Sequence, residues 1–255
     1  MSAGVKKRVY FRFYAELNDF LLPRQQKKTF TYHFWGTPSI KNAIQALGVP
    51  HTEVDLILVN GNPVNFSYRL RPQDSISVYP VFESLDITQI NPLRNKPLRN
   101  LRFIVDANIG KLARYMRMLG FDAMYDNQLE DPEIIRISID EKRIILTRDL
   151  EILKQNSVTR GYYLRSQDPK EQLQEVIERF DLLSNLKAFS RCMKCNGKLT
   201  KIEKEKVRDH VDTETWGIFN EFYQCNSCNK IYWKGSHYER MKEMIEQLQE
   251  SISYS

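Results

Sequence analysis

Two C-x-x-C pairs, Cys192-Met-Lys-Cys195 and Cys225-Asn-Ser-Cys228, use every cysteine in the chain and stand 29 residues apart. Four thiolates reach the corners of one tetrahedron only if the chain between the pairs doubles back. Segment 198–224, from KLTKIEKEKV to FNEFYQC, reads as the hairpin that does this. Asn196-Gly197 follows the first pair and Asn229 the second, the turn chemistry of a metal knuckle. A closed set of four sulfur ligands with no open position predicts a structural Zn²⁺. A redox motif would not need duplication, and paired disulfides would need an oxidising compartment that nothing in the sequence indicates.

The remaining length bounds the architecture. A chain of 255 residues predicts one large domain or two smaller ones. No apolar run approaches the ~18 residues of a membrane span, and MSAGVKKRVYFRFY is charged where a signal peptide needs its apolar stretch. A soluble cytoplasmic protein with no membrane partner is expected. The net charge of +6 is compatible with a polyanionic partner without requiring one. Its distribution is more informative, because NPLRNKPLRNLR (91–102) carries Arg94, Lys96, Arg99 and Arg102 and no acid. With two prolines, 91–101 reads as a basic linker.

Ahead of that linker, RVYFRFY (8–14) alternates, with Val9, Phe11 and Phe13 on one side, as a half-buried strand does. KTFTYHF (28–34) is a second strand. A helical pattern opened by Pro38 and closed by Gly48 presents Ile40, Ile44 and Leu47 on one face. Strands at 55–59 and 76–82 follow, with an Asn60-Gly61 turn after the first of them. Strand, strand, helix, strand, strand over residues 1–90 predicts a β-grasp domain. The region resembles the ubiquitin-like sulfur carriers of thiamine and molybdopterin synthesis. Those carriers end in Gly-Gly, whereas here VYPVFESLDIT (78–88) runs on into more protein, so binding or scaffolding is expected rather than carrier chemistry.

Residues 102–189 alternate strand and helix. Strands are expected at 102–105, 123–125, 143–147 and 161–164, and helices near 109–119, 132–140, 149–155 and 169–181. Asp168 should cap the last helix, with Glu171 as its capping-box partner. Such interleaving predicts a mostly parallel sheet between helices. Functional residues of such sheets gather beyond the carboxyl ends of the strands. Asp106 follows RFIV there, Asp149 follows IILTR, Asp126 follows AMY, and Glu130 and Asp131 begin the next helix. Clustered carboxylates favour a hard cation, Mg²⁺ or Mn²⁺, that activates water and stabilises a phosphodiester under attack. Bland readings stay open: Asp131, ahead of Pro132, serves equally well as a helix cap, Asp126 as a turn residue and Glu130 as surface. Lys111, Arg114 and Arg117 on the helix after Asp106, and Arg148 beside Asp149, suit phosphate positioning, while plain amphipathicity also accounts for the helix.

The segments VDANIGKLARYMRMLGFDA (105–123), RIILTRD (143–149), YYLRSQDPKEQL (162–173), RCMKCNGKL (191–199) and YQCNSCNKIYWKGSHYERM (223–241) resemble the mutator-seven C-terminal ribonuclease family. Its catalytic domain is PIN-like and carries a zinc ribbon. DLILVNGNPVNFSYRL (55–70) and SVYPVFE (77–83) resemble the ubiquitin-like domain often fused ahead of it. The resemblance implies a PIN-like domain over 102–189, a zinc ribbon and C-terminal helix over 190–255, and metal-dependent RNA cleavage. Asp106 and Asp149 match the family's strand-end acids, with Asp126 and Asp131 in support, and the ubiquitin-like domain is expected to meet a protein partner. Two other readings remain at this stage. One is a non-catalytic RNA-binding protein that uses the basic linker and aromatics such as Tyr232 and Trp233. The other is a ubiquitin-like adaptor with a vestigial nuclease fold.

Overall fold

A computed structural model describes residues 6–80 and 101–253. The expected linker, apart from Leu101, lies outside the described residues. No helix among them is long and apolar enough to cross a membrane. Contacts divide the chain into two units, one of residues 1–99 and 149–163, the other of 100–148 and 164–255.

In the first unit the alternating stretch forms β1 (Lys7–Phe13), which buries Val9, Phe11 and Phe13. It pairs antiparallel with β2 (Phe30–Phe34). Helix α1 (Ile40–Ala46) follows, capped by Ser39, whose Oγ accepts from the Asn42 N–H at 3.2 Å. Ile40, Ala43 and Ile44 turn into the core. Gly48 ends this stretch at φ +101°, and a Cβ there would stand 2.9 Å from the Phe20 carbonyl oxygen, so only glycine fits without displacement. Strands β3 (Leu56–Val59) and β4 (Asn62–Pro63) flank Asn60-Gly61, both at positive φ as a tight hairpin turn requires. Strand β5 (Ser75–Tyr79) then slots between β1, to which it is parallel, and β3. The sheet order β2-β1-β5-β3-β4 has the first and last long strands parallel at its centre, a mixed β-grasp sheet with one apolar face against α1.

The second unit opens with β6 (Arg102–Val105) and a short 3₁₀ turn leading into α2 (Gly110–Met118). Strand β7 (Asp122–Met124), helix α3 (Asp131–Glu141) and β8 (Ile144–Thr147) follow. Both β7 and β8 lie parallel to β6, one on each side. The first crossover moves outward from β6 and the second returns across it, so right-handed connections set α2 and α3 on opposite faces of the sheet. All three β6 positions from Phe103 to Val105 are fully buried, the near-continuous apolar run expected of a strand covered on both sides.

The chain then contributes α4 (Leu150–Lys154) and β9 (Gly161–Tyr163) to the first unit. There the Gln45 side-chain amide donates to the Lys154 carbonyl oxygen at 2.6 Å. The Glu53 carboxylate accepts from the Tyr163 N–H at 2.7 Å, and a His51 ring nitrogen meets the Val158 carbonyl oxygen at 2.7 Å. Back in the second unit, Leu164 N–H bonds the Thr147 carbonyl oxygen at 2.9 Å. Helix α5 (Pro169–Arg179) is capped by Asp168 as expected. The Glu171 carboxylate, however, accepts from the Ser166 hydroxyl, and Ser166 Oγ itself takes the Asp168 N–H at 2.9 Å, so a serine two residues before the cap stands between the partners of the capping box. The ribbon is three antiparallel strands, β10 (Leu199–Ile202), β11 (Phe222–Cys225) and β12 (Ile231–Trp233), with α6 (Thr213–Ile218) inside the hairpin and α7 (Ser236–Ser253) after it.

His51 is 7% exposed. Burial, then the nearby Lys41 charge, lower its pKa from 6.5 to about 4 against the opposing pull of the Val158 carbonyl. The unfolded chain therefore binds the proton first as pH falls below 6.5. The stability owed to neutral His51 is complete above that pH and declines toward pH 4. Between pH 7 and 5, the wild type should lose about 2 kcal/mol more unfolding free energy than His51→Gln, measured by urea titration of the full chain.

Candidate active site and metal centre

Parallel pairing sets Ile104 beside Met124 and Val105 beside Leu146, so β6, β7 and β8 all release their next residues on one edge of the sheet. Asp106 is the first residue off β6. Its N–H bonds the Leu146 carbonyl oxygen at 3.0 Å. One carboxylate oxygen accepts the Thr147 hydroxyl at 2.6 Å and the other the Asn108 N–H at 3.3 Å. The residue is only 6% exposed and has no ion-pair partner among the described residues. A buried carboxylate without a counter-charge is costly, and its unused oxygen lone pairs are the donor chemistry of a hard divalent cation.

Three supporting residues escaped the sequence analysis. Thr147 is fully buried and orients the Asp106 carboxylate. The Tyr125 hydroxyl donates to the Ala107 carbonyl oxygen at 3.1 Å, tying the exit of β7 to the turn after Asp106. Gly110 makes room for that ring, since a Cβ at Gly110 would sit 2.3 Å from Tyr125 Cζ. A glycine at the start of an otherwise strong helical run was the one available signal.

The other acids are placed as follows. Asp126 is exposed and takes the Gln128 N–H at 2.9 Å, as a turn residue does. Glu130 is the N-cap position of α3, without a side-chain cap bond, and Asp131 is the exposed first residue of that helix. Asp149, two residues beyond β8, caps α4 through the Glu151 N–H at 2.7 Å and belongs by its contacts to the first unit. Lys111 and Arg114 stand exposed on α2. Arg148 is occupied instead, donating to the carbonyl oxygens of Leu164, Arg165 and Ser166. Arg117 does not join the solvent-facing cations.

The cysteines do converge. Among the described residues, they form the group of potential ligand atoms that lies within 4.8 Å of one another; the carboxylates form none. Cys192 and Cys228 sulfurs are 3.6 Å apart, Cys195 and Cys225 sulfurs 3.3 Å. Four sulfurs each ~2.3 Å from a central ion would be about 3.8 Å apart, so the set could hold a structural metal such as zinc. Asn196 and Asn229 both adopt positive φ, and each donates its N–H to the carbonyl of the cysteine four before it, Cys192 and Cys225. Burial raises the Cys192 thiol, but the Tyr232 hydroxyl 3.1 Å away and nearby backbone N–H groups outweigh it, bringing the pKa down to about 6. Burial and the three neighbouring thiols push Cys195 up to about 12. Zinc binds the thiolate form, so loading the cluster would release the protons its thiols carry. Gly197 is needed here too, because its Cβ would lie 2.6 Å from Ser227 Oγ and 2.7 Å from Cys225 Sγ.

Arg117 joins this centre to the sheet. Only 3% exposed, its guanidinium donates to the Ala123 carbonyl oxygen at 2.7 Å, Tyr125 at 3.4 Å, Met193 at 3.3 Å and Lys194 at 2.9 Å. Beside it, Asp122 accepts from Arg143 at 2.7 Å, Asn196 at 2.8 Å and Arg191 at 3.3 Å. Burial raises the Asp122 carboxyl, but the hydrogen bonds from Arg143 and Asn196 prevail and hold it below its usual range.

The Mut7-C RNAse domain family matches residues 101–245, and the Mut7-C ubiquitin family matches residues 6–86. No curated protein and no solved structure matches the chain. The first match spans more than half of the sequence, and the chain belongs to the Mut7-C RNAse domain family, with a ubiquitin-like domain in front.

Replacing Arg117 by Met would leave those buried carbonyl oxygens without their donor while keeping most of the side-chain volume. The expected cost is about 3–5 kcal/mol, the range for breaking a buried charge network by removing one partner. Thermal unfolding of Arg117→Met should show it, and Arg114→Ala, at an exposed position, should leave stability nearly unchanged.

Proposed function

We propose that this member of the Mut7-C RNAse domain family hydrolyses RNA phosphodiester bonds at a divalent-cation site centred on Asp106. The observation that carries the reading is the buried Asp106 carboxylate at the carboxyl edge of a parallel sheet, held by Thr147 and without a counter-charge. Asp149 follows β8, whose end shares that edge. With Asp126 or Asp131 it would complete an oxygen ligand set for Mg²⁺ or Mn²⁺. When bound, such an ion activates water and stabilises the charge that develops on the phosphodiester. The chain's own part is to fix the Asp106 carboxylate through the Thr147 hydroxyl and to offer Lys111 and Arg114 to the substrate phosphates. The four thiolates are assigned to a structural Zn²⁺ and the ubiquitin-like domain to a protein partner.

Wild type should cleave labelled RNA only with Mg²⁺ or Mn²⁺ present, and Asp106→Asn should abolish cleavage while retaining the same melting profile. The amide keeps the shape and removes the charge. Equal cleavage by the two proteins would remove the basis for the proposed site.

Metal analysis should find one zinc per chain. Chelation, or Cys192→Ser with Cys225→Ser, should unfold the ribbon, read as loss of protection of β10–β12 amides in hydrogen exchange. A fully protected ribbon without metal would contradict a structural role.

A further inference from the structure

Two cavities of the second unit open side by side and share Met118, Met193 and Met241 in their walls. The first, 310 Å³, has Lys111 and Arg114 of α2 on one side and His237 and Arg240 of α7 on the other, all four exposed. The second, 430 Å³, is lined by aromatic rings, Phe189, Tyr223, Tyr232, Trp233 and Tyr238. No carboxylate lines either cavity. A cationic end therefore continues, across a floor of flexible thioethers, into an aromatic end.

We infer that this groove binds single-stranded RNA, with phosphates between α2 and α7 and unpaired bases against the aromatics of the ribbon. The inference deepens the ribonuclease reading and rests on it for the choice of RNA. The aromatic end is what selects the single strand. Exposed cations facing each other attract a backbone without reading sequence. Aromatic faces gain only from bases free of a partner, and a duplex hides those faces in its own stack. The methionine floor adapts to any base. The rings also pack within the protein: the Tyr232 hydroxyl meets Cys192, Trp233 packs on Phe222, and Tyr238 lies 4.5 Å from Phe189 between centroids, so the Phe189–Tyr238 pair at the root of α7 is the platform assigned to a base.

The test is fluorescence anisotropy of a labelled 12-nucleotide RNA, single-stranded or annealed to its complement, with the full-length zinc-loaded Asp106→Asn protein so that no cleavage intervenes. The single strand should bind at least tenfold more tightly than the duplex. Adding Arg114→Ala and Arg240→Ala should weaken single-strand binding about tenfold at low salt. It should also flatten the slope of log affinity against log salt by about 1.4, two contacts at ~0.7 each. Tyr238→Leu should cost single-strand affinity about fivefold or more and leave the duplex unaffected. Duplex binding as tight as single-strand binding, or variants that bind like their parent while keeping their zinc and melting profile, would overturn the groove. Those results are distinct from failure of the enzymatic reading, in which wild type does not cleave although the Asp106→Asn protein still binds single strands through these residues.

Discussion

A guanidinium buried among carbonyl oxygens holds the second unit together. Arg117 leaves α2 and reaches Ala123 and Tyr125 at the end of β7 and Met193 and Lys194 in the first cysteine knuckle. Placing a full charge there is expensive, and the unit offsets the cost in two ways. Several carbonyl dipoles point at the cation, and the ionised Asp122 lies close by, itself shared by Arg143 and Arg191. The network fixes where the ribbon meets the strand that leads to Tyr125. Tyr125 in turn sets the turn after Asp106. The cysteine cluster and the Asp106 edge are thereby joined through one run of hydrogen bonds.

Much of this was legible in the sequence. The alternation around Val9, Phe11 and Phe13 gave β1 with its correct inner face, and the cysteine spacing with its following asparagines gave the knuckles, because both patterns are set by local geometry. Arg117 was misjudged for a reason equally local. Lys111, Arg114 and Arg117 are spaced by three, and each step of three on a 3.6-residue helix falls about 60° short of a full turn. Two such steps carry Arg117 about 120° away from Lys111, off the solvent face and into the core. Spacing by three is a drifting stripe, and only its first pair shares a side.

The Asp106 site shows the opposite limit. Its position at a strand end could be read directly, since an apolar run followed by an acid marks the carboxyl edge of a parallel sheet. Its supporting groups could not. Thr147 and Tyr125 lie 41 and 19 residues further along, and what selects them is register between parallel strands, a property of pairing that no single segment displays. The placement of 149–163 is similar. Its helix and strand were expected from local pattern, but the side chains that satisfy its backbone, Gln45, His51 and Glu53, come from a region about a hundred residues earlier.

That last arrangement bears on how such a chain is inherited. The backbone groups of Lys154, Val158 and Tyr163 find their partners in the ubiquitin-like region, while the residues on either side of this segment belong to the ribonuclease unit. Recombination at the boundary near residue 100 would leave a stretch of the downstream gene encoding peptide groups that had lost the side chains meant for them. A stretch inside the second matched family thus depends on side chains supplied by the first.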